Sequence, residues 1–143
     1  MTFSVAGFCE RTGMVGVAIT SSSISVASRC PWVRAGVGAA STQNITDPSL
    51  GNAMLDLIAK GSSSEQAIEI VTKDRKFIDY RQLTVIDNKG QSSSFSGTKT
   101  LGTHAVAQGH DCIAAGNLLI STEIPQAIVD NFSKHSHLHL AER

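Results

Sequence analysis

Apolar and polar positions alternate from the first residues of the chain. Phe3, Val5, Gly7 and Cys9 fall on one face of a strand, and Val15, Val17 and Ile19 line one face of another. The spacing predicts an opening hairpin in which Thr2 to Arg11 pairs through Thr12-Gly13 with Met14 to Ser23. Ala6, Gly7, Gly16 and Ala18 leave little bulk on this hairpin, so another element must approach it closely. The serine-rich run Ser21 to Ser28 keeps Ile24 and Val26 at strand spacing and reads as a loop lying over the sheet. Pro31 sets a bend, and Trp32, the only tryptophan, is available as a packing anchor. Ala35 to Asn44 reads as a third strand with Gly36 and Gly38 on one nearly bare face. Glycines inside a strand-like run, rather than between a strand and a helix, argue against a nucleotide loop.

The period then changes. Asp47 is placed as N-cap and Pro48 at the first position of a helix running to about Lys60, with Leu50, Met54, Leu57 and Ile58 on its apolar face and Gly61 as its stop. A capping box, Ser62 with Glu65 or Ser63 with Gln66, opens a second helix that ends near Lys73 and turns Ala67, Ile68 and Val71 inward. The short connection makes the two an antiparallel pair able to lie on a sheet. Tyr80 to Asp87, the turn Asn88-Lys89-Gly90 and Gln91 to Ser96 form a second hairpin. Thr103 to Gln108 and Asp111 to Leu118 are two further strands around Gly109-His110. Thr122 is placed to cap a last helix with Ile124, Ala127, Ile128 and Phe132 on its apolar side, and the final residues look like the start of another helix. The order of elements predicts an α+β domain with helices stacked on two antiparallel sheets.

Length and charge narrow the classes. A chain of 143 residues is one domain with a real core. Twelve basic residues balance twelve acidic ones, without a basic stripe to neutralise phosphates, so nucleic acid is not an expected partner. The chain lacks an apolar run of membrane-spanning length and a basic-then-apolar leader, and a cytoplasmic location is expected without a membrane partner. Cys9, Cys30 and Cys112 are odd in number and widely spaced, which predicts reduced, buried residues rather than a disulfide framework or zinc site. Of the five histidines, His135 and His139 would share a helix face, and His104, His110 and Asp111 form a second weak metal grouping. Neither set has the ligands to complete a site, so no metal is assigned.

Chemistry enters at Thr2. A small second residue favours removal of the initiator Met1, after which Thr2 carries a hydroxyl and a free α-amine together. That amine, with an ordinary pKa of about 7.7–8.0, can act as general base for the hydroxyl. The plainer reading is that Thr2 only begins a strand, as β-branched residues do.

Several stretches together resemble the domain-of-unknown-function family numbered 1028. They are Thr2-Phe3-Ser4-Val5, Gly16-Val17-Ala18, Ser21-Ser22-Ser23, the run Pro31 to Ala39, Thr42-Gln43-Asn44, Asp47-Pro48, Arg81-Gln82-Leu83, Phe95-Ser96-Gly97 and Gly116-Asn117-Leu118-Leu119. The resemblance implies a four-layer αββα sandwich, N-terminal-nucleophile-hydrolase-like, incomplete in this chain at its C-terminal end. It also implies hydrolysis of an amide bond in a small molecule, with Thr2 as nucleophile, Asn44 or Asn117 donating to the oxyanion, and no cofactor. Arg34 and Ser22 are the expected substrate-contacting residues, and uncovered sheet edges would be closed by a second copy in a homo-oligomer. Some branches of that superfamily tune the nucleophile with a lysine on an early strand, whereas the first lysine here is Lys60. A retained Met1 would also leave Thr2 without its amine. These two departures motivate the alternative, a non-catalytic binding or assembly module that holds a small ligand in a cleft beside Arg34 and Asn44.

Overall fold

The computed structural model describes residues 1–143. Its elements follow the chain as β1 (Thr2–Cys9), β2 (Met14–Ser21), β3 (Pro31–Arg34), β4 (Gly38–Asn44), α1 (Ser49–Ala59), α2 (Ser64–Thr72), β5 (Arg81–Asp87), β6 (Ser92–Ser96), β7 (Ala105–Gly109), β8 (Cys112–Asn117) and α3 (Ile124–Lys134). They form a mixed α+β domain with two four-stranded sheets, ordered β2-β1-β8-β7 and β3-β4-β5-β6. Every strand pairing is antiparallel. No helix is long and apolar enough to cross a membrane.

The opening hairpin pairs Thr2 with Ser21 through Cys9 with Met14. Its loop is four residues, Glu10 to Gly13, rather than two. Gly13 takes a φ of 70°, and its amide closes the loop on the Cys9 carbonyl at 2.8 Å. The expected close approach is made by α3, since a Cβ on Gly7 would lie 2.7 Å from Phe132 Cε2.

The run Ala35 to Asn44 differs from expectation. It breaks at Ala35–Val37, where Gly36 adopts a φ of 73° and the Val37 amide bonds the Arg34 carbonyl at 3.1 Å. The two glycines therefore do not share a strand face. The chain bends at Cys30, and Pro31 opens β3, an edge strand whose first residue tolerates a missing donor, opposite Ser41. The serine-rich run after β2 holds a 3₁₀ turn at Val26–Ser28, and Ile24 is 88% exposed, so its strand-like spacing has no sheet behind it.

Three apolar cores hold the elements together. Leu50, Met54 and Leu55 of α1 with Ile68 and Val71 of α2 pack on Ala40, Leu83 and Val85. Ala6, Phe8, Ala39, Ile86 and Ile113 meet between the sheets. Cys112 and Ala114 pack against Val129 and Phe132 of α3. The buried face of α3 is Pro125, Val129 and Phe132, rotated from expectation so that Ala127 is exposed. This rotation seats Val129 over Gly109, where a Cβ would touch its side chain.

Helix ends follow local chemistry. Ser63 and Gln66 make the capping box of α2, each side chain bonding the other's backbone amide at 3.1 and 2.9 Å. For α3 the N-cap position falls on Glu123 rather than Thr122 and no side chain caps the helix; the Ser121 hydroxyl accepts from the Glu123 amide at 3.1 Å, just before the first turn. The last residues form only a 3₁₀ turn, Leu140–Glu142, so His135 and His139 do not share a helix face.

At α1 the N-cap position falls on Pro48 rather than Asp47, and the Asp47 carboxylate just before it accepts from the Ser49 amide at 3.2 Å and from the Ser49 hydroxyl and Arg75, both at 2.6 Å. Burial pushes its carboxyl up, but the Ser49 hydrogen bonds and the Arg75 charge outweigh burial and hold it below the ordinary 3.8. A depressed carboxyl stabilises the fold above the unfolded pKa and loses that contribution as pH falls through the folded value. Asp47→Ala is therefore expected to lower stability by about 1–2 kcal/mol at pH 7. In urea melts the gap from the unmutated protein should close below pH 3.8. A gap that widens on acidification would contradict this account.

Candidate active site

Strand alternation decides what faces the space between the sheets. On β1 the even residues Ala6 and Phe8 join the inter-sheet core, so Thr2 and Ser4 share their face. The same rule groups Asn117 and Ala115 with Ile113 on β8, Gln43 and Ser41 with Ala39 on β4, and Gln82 and Thr84 with Ile86 on β5. The layer between the sheets is thus apolar toward the β1–β2 loop and polar toward Thr2. Ser4, Ser41, Gln43, Gln82, Thr84 and Asn117 are each at most 2% exposed.

An unpartnered buried polar group costs about 1–3 kcal/mol, so six of them require a network. Ser4 donates to Gln43 Oε1 at 2.8 Å, and Ser41 donates to the same oxygen at 3.2 Å. Gln43 Nε2 crosses to Gln82 Oε1 at 2.8 Å, which also accepts from Asn117 Nδ2 at 3.1 Å. Gln82 Nε2 donates to Ser96 Oγ at 3.2 Å and to the Gly116 carbonyl at 3.1 Å. The network joins both sheets and ends beside Thr2, whose register partner on β8 is Asn117. Thr84 Oγ1 alone among these residues has no partner. Thr84→Val removes that hydroxyl at nearly constant volume and is expected to raise stability by about 1 kcal/mol, read in urea melts. A loss of similar size would mean that the hydroxyl is satisfied in solution.

The amino terminus closes the polar end. Thr2 Oγ1 lies 2.8 Å from Ser21 Oγ, across the β1–β2 register. Ser21 Oγ also accepts from the Ser23 amide at 3.0 Å and lies 3.3 Å from the Met1 carbonyl. The Met1 ammonium donates to Ser22 Oγ at 3.0 Å, and the Ser22 amide bonds the Met1 carbonyl at 3.1 Å. Ser21 and Ser22 thus hold the first two residues through side chain and backbone. The groove of about 360 Å³ lined by Val5, Gly16, Ala18, Phe132 and Leu140 opens on the other, α3-facing side of the hairpin and excludes Thr2.

The remaining candidates lie elsewhere. Asn44 has a φ of 69°, and its amide ties the Tyr80 carbonyl at 2.6 Å to the Leu101 amide at 3.2 Å, so it serves a loop junction. Arg34 ends β3 and is ion-paired with Asp56 at 2.7 Å. It faces Gly38, whereas Asn44 is at the far end of β4, about 20 Å along the strand. The structure therefore does not bring Arg34 and Asn44 into one cleft. His104 Nδ1 sits 3.0 Å from the Gly102 carbonyl on an exposed loop, and none of its hydrogen bonds reaches Thr2. All three cysteines are free and buried. Burial pushes the Cys112 thiol up to about 11, the wrong direction for a nucleophile at neutral pH.

Five hydrogen-bonded inter-sheet residues, Ser4, Ser41, Gln43, Gln82 and Asn117, and Ser21 thus support Thr2, and of these only Asn117 is among the expected site residues. The available signal was the alternation of Gln82 and Thr84 with Leu83 and Val85 on β5; on β4 the run Ser41 to Asn44 is polar throughout and carries no such signal. The model of the DUF1028 family, described as a family of unknown function, matches residues 2–143. The chain belongs to the DUF1028 family. A crystal structure of protein SPO2555 from Silicibacter pomeroyi, also assigned to DUF1028, is similar to it with a TM-score of 0.93 and 25% sequence identity. The match covers 99% of this DUF1028 chain and 62% of the Silicibacter one, so this chain spans less than two thirds of that relative. No curated protein matches the chain.

Proposed function

We propose that this DUF1028 chain is an amide-bond hydrolase acting on a small molecule through an N-terminal threonine, on a four-layer αββα, N-terminal-nucleophile-hydrolase-like sandwich. The observation that carries the reading is the position of Thr2. Its hydroxyl turns to the polar end of the inter-sheet layer, bonded to Ser21, with Asn117 as neighbour on β8 and a buried amide network behind it.

Removal of Met1 gives Thr2 a free amine next to Ser21 and Ser22. Thr2 Oγ attacks the substrate carbonyl carbon while its proton passes to the α-amine. The oxyanion takes a hydrogen bond from the second Nδ2–H of Asn117, a contact whose loss typically costs about 2.7–4 kcal/mol. Collapse breaks the C–N bond, the ammonium returns the proton to the leaving amine, and an ester remains on Thr2. Water, deprotonated by the same amine, then releases the acid and restores the hydroxyl. Asn44 is left as a structural tie, Ser22 positions the terminus, and Arg34 is assigned no contact with substrate.

A second reading, a non-catalytic binding or assembly module, is favoured by the hold on Met1, whose ammonium and carbonyl are both engaged by Ser22. In either reading the open edges β2, β7, β3 and β6 suit closure by a second copy. Intact mass of protein purified from its native host separates the two. Loss of Met1, followed by gain of one whole lactone mass at Thr2 on treatment with a small β-lactone, is the expected result. That adduct balances without a co-reactant: Oγ bonds the carbonyl carbon, the ring C–O bond breaks, and the proton lost by Oγ goes to the released alkoxide. Full retention of Met1 would exclude the amine as base and leave the binding module.

A further inference from the structure

We infer that Gln82 is a positioning residue for the Thr2 site, fixing through one backbone carbonyl which atom of Asn117 is the nitrogen. The inference rests on the hydrolase reading for its consequence, while its geometric part stands alone. Amide nitrogen and oxygen are ordinarily assigned from surrounding hydrogen bonds. Here the surroundings leave no choice. The Gly116 carbonyl only accepts, so the Gln82 atom 3.1 Å from it must be Nε2. Gln82 Oε1 then points the other way and must receive donors, which makes the contacting atoms of Asn117, at 3.1 Å, and Gln43, at 2.8 Å, both NH₂ nitrogens. Gln43 Oε1 is left toward the Ser4 and Ser41 hydroxyls, each able to donate.

A single acceptor, Gly116 on β8, therefore orders three amides across two sheets. Gly116 is also the residue before Asn117, so the strand that carries the oxyanion donor carries the reference that orients it. Gln82 bonds Gln43, Ser96, Gly116 and Asn117 but not Thr2 or Ser21, so its effect reaches the reaction only through Asn117. Without Gln82, Asn117 could rotate its oxygen toward the developing negative charge, replacing attraction with repulsion.

Two measurements test this on the full chain. In ¹⁵N-labelled unmutated protein, nuclear Overhauser contacts are expected from the Gln82 NH₂ protons to Gly116 Hα and Ser96 Hβ. Their absence, with contacts from that NH₂ group to the Asn117 side chain instead, overturns the polarity. The second is a mutant cycle read by β-lactone acylation of Met1-free protein. Gln82→Met is expected to lower the maximal acylation rate about tenfold or more while leaving the half-saturating lactone concentration unchanged. Asn117→Ala should do the same, and the double variant should be no slower than the slower single one. Slowing that multiplies in the double variant, or an unchanged rate in Gln82→Met, overturns the positioning role. Should Gln82→Met fail to fold, Gln82→Glu, which keeps an acceptor oxygen toward Asn117, is expected to retain the unmutated acylation rate, and a tenfold loss there overturns the positioning role. If the unmutated protein is never acylated, the hydrolase reading falls and the positioning role with it, and the Overhauser contacts still decide the polarity separately.

Discussion

Thr2→Ala is expected to abolish both β-lactone acylation and hydrolysis of small amides, a loss of at least about a thousandfold, with the fold intact. The contrast follows from where the side chain sits. Thr2 is half-buried at the end of β1, and its hydroxyl makes one side-chain hydrogen bond, to Ser21 at 2.8 Å. Losing such a bond costs about 1 kcal/mol of stability, a few degrees in Tm. Losing the atom that bonds the substrate carbon removes the covalent route altogether. Alanine is also small enough for Met1 to be removed, so the variant keeps its free amine and isolates the hydroxyl. Thr2→Ser keeps both groups and should retain part of the rate, reduced because the methyl that limits χ1 is gone. Acylation and amide hydrolysis by Thr2→Ala at the unmutated rate would place the chemistry elsewhere and end the N-terminal mechanism.

The sequence was most legible where one face of an element is covered. Helix α2 shows its buried Ala67, Ile68 and Val71 and its capping box directly, because its outer face is solvated and the 3.6-residue period survives. β4 is the opposite case. Six of its seven residues, Gly38 to Gln43, are buried, since Ala40 packs under the helices while Ala39, Ser41 and Gln43 face the other sheet. With both faces covered the apolar alternation disappears, and glycine-rich Ala35 to Gly38 reads as more strand instead of a turn. The site was obscured for the same reason. Ser41, Gln43, Gln82 and Thr84 look like ordinary polar strand positions until the second sheet makes them interior. Thr2 could be singled out because its chemistry depends on chain position, and Asn117 because it ends a strand. Asn44 shares that strand-end signal, yet its positive φ turns its amide to Tyr80 and Leu101, which only tertiary contacts reveal.

A large stability effect from a single added methyl is expected from Gly51→Ala. Judged on helix propensity alone the change should stabilise, because alanine in a helix interior is worth about 1 kcal/mol over glycine. Gly51 lies on the buried face of α1, however, and a Cβ there would fall within the indole ring of Trp32, against Cγ, Cδ1 and Nε1. Those atoms are near the root of the side chain, so a rotation of its tip gives no relief. Either the indole leaves its place against the α1–α2 core and its Nε1 bond to the Arg29 carbonyl at 3.3 Å, or α1 moves off β3. Overpacking of this kind costs about 1–3 kcal/mol and more where the neighbour is rigid, so the contact outweighs the propensity. We expect a net loss of about 2–3 kcal/mol, roughly 6–10 °C in Tm, with a changed tryptophan emission. The sign should reverse once the ring is gone: in a Trp32→Ala background, Gly51→Ala is expected to be neutral or stabilising by up to about 1 kcal/mol. A rise in Tm for Gly51→Ala with Trp32 present would mean that the indole does not occupy the space over Gly51, and that glycine is kept there for another reason.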